Sequence, residues 1–270
     1  MSDYPLRQVI AVLSGKGGVG KTTISASLGC HYAASGLKTL VIDLDMGLRN
    51  LDLYYQTQGD VVFDVSHVLD GFIPLTDAVI QVPGYKDLYM LASSLQKSFS
   101  VIDVHKFQQL LNQAKEEFDL VILDAPAGAD PLLVHLVARS DAILLVSNPY
   151  TPSLRSVDKL LGIIDQNLPT FWILNKVPQK MMQKSLMSSI KAQIDFSLSA
   201  IIEEMEEINL LQAYQYPLNH KNAGNFIKKI SKIAPLLIGV TNPISIDSSD
   251  FIEEKKETSF FKKVKDFVIR

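Results

Sequence analysis

Ten residues near the start, Ser14-Gly-Lys-Gly-Gly-Val-Gly-Lys-Thr-Thr23, have the types and spacing that hold a phosphate group. Gly15, four intervening residues and then Gly20-Lys21-Thr22 make a phosphate-binding loop. In such a loop the backbone N–H groups of Gly15, Gly17, Gly18, Val19 and Gly20 turn toward one anion without a crowd of Cβ atoms in the way. Lys21 neutralises the β- and γ-phosphates, and the hydroxyl of Thr22 is a ligand for Mg²⁺. A helix beginning here, with Thr23 in its first turn, sets its positive end under the β-phosphate. A plain turn needs one or two glycines and no lysine, so a ligand-free structural role explains the stretch poorly.

Phosphoryl transfer also needs acidic groups to hold the metal and orient the attacking water. Asp124 ends the apolar run Leu120-Val-Ile-Leu and is expected to hold Mg²⁺ through a water. Asp43 and Asp45 lie two apart after Thr39-Leu-Val-Ile, a spacing that puts both carboxylates on one side of an extended strand end. Asp43 is assigned to the metal's water shell and Asp45 to the attacking water. The spacing alone does not separate these two roles.

The elements that must position these groups are short, unbroken apolar runs: Val9–Leu13, Thr39–Asp43, Leu120–Asp124, Ala142–Val146 and Thr170–Asn175. The segments between them are long enough for helices. Ile24 to Ala34 carries helix formers and stops before Ser35-Gly36, while Val104–Phe118 and Ser153–Asn167 show helical apolar spacing. Buried runs alternating with helices predict an α/β fold, a doubly wound, mostly parallel sheet with helices on both faces. Ligands of such sheets sit beyond the carboxyl ends of the strands, where Asp43, Asp124, Asn148 and Asn175 all fall. Phe196 to Ile202 is expected to form a last strand and Ala223 to Leu237 a closing helix. Residues 241–257, rich in Asp, Ser and Glu, read as a linker.

Composition narrows the function classes. The 270 residues are 47% hydrophobic, enough for one sizeable domain, here residues 1–240. A net charge of −3 provides no global basic field, and no nucleic-acid partner is expected. Cys30, the single cysteine, excludes an internal disulfide and suits a reducing compartment. The five histidines show no metal spacing. No apolar run approaches the roughly 18 residues that span a bilayer. The expectation is a cytoplasmic protein whose membrane contact, if any, is made at the surface.

One loop residue exceeds the general pattern. Lys16 follows the first glycine, and Gly15-Lys-Gly-Gly-Val-Gly-Lys-Thr22 resembles the deviant Walker A motif of the ParA/MinD ATPases. The resemblance implies ATP as substrate, a homodimer that forms on binding ATP, and Lys16 acting across that dimer. It extends from about Gln8 to Asn175. Asp43-Leu-Asp-Met-Gly-Leu-Arg-Asn-Leu-Asp-Leu53 is similar to the family's switch I in its division-site branch, and Asp124-Ala-Pro-Ala-Gly128 to its switch II. Asn148-Pro149 with Ser153–Asp158 also fits, and Asn175 stands where the family has an adenine-binding asparagine. The branch implies a division-inhibitor protein and an ATPase-stimulating protein as partners. Two departures follow: Lys176 replaces a frequent arginine, and Ser199-Ala-Ile-Ile-Glu-Glu204 stands in place of the usual Gly-x-Ile-Pro. A flagellar-number regulator and a DNA-partition ATPase share the loop. A nucleotide-holding module without hydrolysis is a further alternative. The iron protein of nitrogenase also shares the loop, but its bridged cluster needs two cysteines per subunit.

The end of the chain, residues 258–270, is amphipathic. On a helix, Phe260, Phe261, Val264, Phe267 and Val268 share one side, and Lys262, Lys263, Lys265, Asp266 and Arg270 take the other. From residue types alone, two readings stand: a terminal helix docked on the domain, or a helix lying in an anionic membrane interface. The family resemblance implies membrane targeting. Each excess basic charge contributes on the order of 1 kcal/mol near anionic lipid, so one tail binds marginally. Two tails joined in a dimer gain avidity of roughly 10² or more.

Overall fold

The computed structural model describes residues 7–97, 102–130, 133–134, 137–182, 188–190, 192–206, 208 and 224–239. The linker and amphipathic segment expected at 241–270 lie outside the described residues.

Each of the five apolar runs forms a strand. They are β1 (Gln8–Ser14), β2 (Thr39–Asp43), β5 (Leu120–Ala127), β6 (Ala142–Ser147) and β7 (Thr170–Val177). Three more complete an eight-stranded sheet: β3 (Ile80–Gln81), β4 (Leu88–Leu91) and β8 (Ala200–Glu203). The spatial order is β3-β4-β2-β5-β1-β6-β7-β8, and only the β3–β4 pair is antiparallel.

The runs are unbroken because both faces of the sheet are covered. Along β1, Val9, Ala11 and Leu13 belong to one core cluster, while Ile10 and Val12 belong to the other. Helix α5 (Val104–Glu117) covers the first face with Phe107, Leu110, Leu111 and Ala114, as does α6 (Thr151–Leu161) with Leu154, Val157 and Leu160. Helices α1 (Lys21–Ala34) and α7 (Gly224–Ile238) cover the second face. Tyr32 of α1 donates its hydroxyl hydrogen to the Ala234 carbonyl of α7 at 2.7 Å. Gly29 lets α1 press close to the sheet, since a Cβ there would lie 2.7 Å from Val41 Cγ2 of β2. Three short helices, α2 (Leu51–Tyr55), α3 (Val65–Leu69) and α4 (Leu75–Ala78), fill the passage from β2 to β3.

Three expectations change, the first being the last strand, β8, which begins at Ala200 instead of Phe196 and ends at Glu203. Helix α6 ends at Leu161 instead of Asn167, because the chain turns at Gly162 and Asp165 then accepts from the Asn167 backbone N–H at 2.9 Å, a local competitor to helix. β2 stops at Asp43, so Asp45 is not on an extended strand end: the Asp45 N–H donates to Asp43 Oδ1 at 2.9 Å, closing a tight turn. Among the described residues, no helix is long and apolar enough to cross a membrane.

Candidate nucleotide-binding site

The loop between β1 and α1 lies at the carboxyl edge of the sheet, on its inner strands. Gly18 (φ 77°) and Gly20 (φ 94°) adopt the left-handed conformation that glycine takes at low cost, which turns successive N–H groups inward. No side chain caps the start of α1, so its first amides are available to an anion. Gly15 is fixed differently: a Cβ on it would lie 2.1 Å from Ser156 Cβ of α6. The end of β1 is tied to the segment after β5 by the Gly128 N–H, which donates to the Ser14 carbonyl at 2.8 Å.

A cleft of about 600 Å³ opens over this loop, within the size range of small-molecule sites. Ser14, the stretch Gly17 to Thr23, Asp45 and Ala127 line its phosphate side, and Leu48, Asn50, Leu53, Tyr54, Lys176 and Ile208 line the rest. Lys21 and Asp124 form a buried ion pair, Nζ to Oδ1 at 2.9 Å, with side-chain exposures of 6% and 1%. Ser25 of α1 donates to the same Oδ1 at 2.8 Å. The other oxygen of Asp124, Oδ2, is buried without a hydrogen-bond partner among the described residues. A buried acceptor left open beside Lys21 fits a hydrated Mg²⁺ ion, which takes one or two carboxylates plus phosphate oxygens. Asp124, Asp43 and the Thr22 hydroxyl are the groups that would hold it.

Asp43 is buried beside this pair. Its Oδ1 accepts from the Asp45 N–H, and its Oδ2 accepts from the Leu51 N–H at 3.1 Å, which fixes the start of α2 against the end of β2. Burial first, and the Asp124 carboxylate second, push Asp43 up to about 7 against those hydrogen bonds and Lys21. Asp45 is partly buried in the cleft wall. Burial raises it too, with Lys21 acting in the opposite sense. The loop after it is tethered, as the Gly47 N–H donates to the Ser94 carbonyl at 2.8 Å.

The two loop lysines separate. Lys21 is buried and paired, whereas Lys16 is exposed and is not among the residues lining the cleft. Asn175 is buried and donates Nδ2–H to the Val19 carbonyl at 2.8 Å. It also borders a small gap of about 20 Å³ shared with Gly20, Glu203, Met205 and Phe226. Asn148 is not in the cleft: its Oδ1 accepts from the Tyr150 N–H and starts the turn into α6.

Several contributors could not be assigned to the loop from the sequence, Lys176 having stood out only as a departure from the family's arginine. Tyr54 places its hydroxyl 2.9 Å from Thr23 Oγ1, across 31 residues. Lys176, in a left-handed conformation at φ 54°, donates to the Gly18 carbonyl at 3.0 Å from 158 residues away. Ser25 was readable only as helix filler, although its place one turn after Lys21 is what lets both reach Asp124.

Comparison with known proteins agrees with this geometry. An AAA domain family model matches residues 7–177. The septum site-determining protein MinD of Thermotoga maritima is 29% identical over 270 residues, covering 95% of this chain and 98% of that one. Among solved structures, a chain of the MinC:MinD cell division complex of Aquifex aeolicus superposes with a TM-score of 0.77 at 28% identity, covering 88% of this chain and 99% of that one. MinD of Pyrococcus horikoshii, solved with Mg-ADP, gives 0.71 at 25% identity, covering 88% and 99%.

Proposed function

Because the chain belongs to the ParA/MinD family of P-loop ATPases, we propose that it is a membrane-cycling ATPase that positions the division site. ATP enters the cleft over residues 14–23, its phosphates held by the loop amides and Lys21. Binding displaces the Lys21 ammonium from Asp124 toward the β- and γ-phosphates, which frees that carboxylate for the hydrated Mg²⁺. The metal supplies charge neutralisation at the β- and γ-oxygens. Asp45 orients the attacking water, and Asn175 supports the adenine side.

The observation that carries the reading is the separation of the two lysines. Lys21 is spent inside its own cleft, while Lys16 is exposed outside it. A second copy facing this one would receive Lys16 at its phosphates, so ATP both completes and bridges two sites. A charge supplied in trans adds to transition-state stabilisation as an arginine finger does.

The dimer brings two amphipathic segments, Phe260, Phe261, Val264, Phe267 and Val268 on each, to the inner face of the cell membrane. Hydrolysis separates the copies and releases them. The similar Aquifex chain was solved together with MinC, which supports a division-inhibitor protein as partner. A second protein that stimulates hydrolysis would set the residence time.

Sedimentation with anionic liposomes tests this, using the full chain and one ending at Glu257, each in ATP and in ADP. Only the full chain with ATP should pellet. Pelleting that ignores the nucleotide, or that survives loss of the tail, overturns the reading.

A further inference from the structure

A second depression lies at the opposite edge of the sheet, where β7 begins. It encloses about 750 Å³, more than the nucleotide cleft. Leu161, Leu168, Pro169 and Phe196 supply its apolar surface, over the buried Ile164 and Phe171. Asp158, Asp165 and Asp195 are acidic side chains along it, all exposed, and none is ion-paired among the described residues. No lysine or arginine is among its lining residues. Gly239, the last described residue after α7, is itself part of the wall.

We propose that this groove docks the chain's own C-terminal segment, residues 258–270. Three observations converge on that occupant. The chain leaves the described fold at the groove, so the segment needs no long search. The 17 residues 241–257, of polar composition, span about 23 Å root-mean-square as a coil, which gives a millimolar effective concentration. The charges also match: four basic side chains against Asp266 leave the segment with an excess of three positive charges, opposite three carboxylates. The apolar sides match too, since Phe260, Phe261, Val264 and Phe267 need the kind of surface that the half-buried Leu168 and Phe196 provide.

The consequence rests on the membrane role proposed above. A tail seated here is withheld from lipid, and a lone copy gains little by exchanging one site for the other. Two tails on a dimer gain avidity only at the membrane, so dimerisation tips the exchange.

The test uses the full chain with Lys265→Cys carrying a benzophenone. Cys30 does not compete for the label, because it is 4% exposed and burial pushes its thiol up to about 11. After illumination in ADP, cross-links should map to residues 158–171 and 195–196 within a single chain. Adding Asp158→Lys, Asp165→Lys and Asp195→Lys together should lower their yield about tenfold, by replacing attraction with like-charge repulsion. About 1 M salt should lower it in the unreversed groove. Cross-links elsewhere on the fold, products of dimer mass, or a yield indifferent to both reversal and salt overturn the docking. The vesicle experiment is read separately: groove cross-links in a chain that never pellets with ATP keep the docking and remove the membrane role.

Discussion

Asp43, the last residue of β2, and Asp124, within β5, are direct register partners. Burial first, and the neighbouring Asp124 carboxylate second, displace Asp43 to about 7.

That displacement has a sign. The folded value lies above the ordinary carboxylate value of about 4, so the ligand-free fold binds a proton that the unfolded chain has released. Stability from this group is complete below about pH 4 and is lost as pH rises through about 7. The melting temperature of the wild type, minus that of Asp43→Asn, should therefore fall between about pH 5 and pH 8. Thermal scans of the two proteins across that range check it, and a constant difference refutes it. Mg-nucleotide binding needs the ionised carboxylate and should tighten over the same interval, with proton release visible as a buffer-dependent binding enthalpy.

Lys16→Ala removes an exposed side chain outside the cleft. Affinity of the monomer for a fluorescent ATP analogue should change by no more than about threefold, while phosphate release should fall by about 10³, the scale of a charge supplied in trans. An equal loss in both measurements would place Lys16 on its own copy's phosphates.

Gly17→Ala and Gly20→Ala should differ in kind. A Cβ on Gly17 meets nothing within 4 Å, so that variant should melt like the wild type yet bind nucleotide more weakly, because the methyl enters the phosphate cradle. At Gly20 the φ of 94° and the 2.3 Å approach to Asn175 Nδ2 cost stability directly, about 1–2 kcal/mol for the backbone conformation alone. Denaturant titration beside nucleotide titration distinguishes the pair.

Ser147→Ala leaves the indole N–H of fully buried Trp172 without its 2.8 Å acceptor. The expected loss is about 1–3 kcal/mol. Trp172 is the only tryptophan, so its fluorescence reports the unfolding midpoint without interference. An unchanged midpoint would mean that the indole finds another acceptor.

The inner sheet was legible because its strands are buried on both faces and read as uninterrupted Val, Ile and Leu. The loop was legible because few glycine arrangements include Lys21 and Thr22 at that spacing. β3 and β4 were not, since two and four residues on the sheet's outer side leave no periodicity to detect. Asp45 lines the cleft because the turn closed on Asp43 aims it there, not through the strand alternation expected from its spacing. Lys176 and Tyr54 reach the loop from far along the chain, and contacts at that separation leave no mark in local spacing.

The strand order has a consequence for how the site comes apart. β1, which carries the phosphate loop, has three strands outside its β5 neighbour and two outside its β6 neighbour. β8, which carries Glu203 beside Asn175, is an edge. Amide exchange in such a sheet proceeds from the rim inward, with opening free energies that rise toward the centre. With Asn175 in its proposed role on the adenine side, a bound nucleotide would straddle two grades of protection, its phosphates on the part of the molecule that opens last and its base beside a part that opens early. In that arrangement, exchange of one nucleotide for another would need only the rim to breathe, while the cradle persists between occupants.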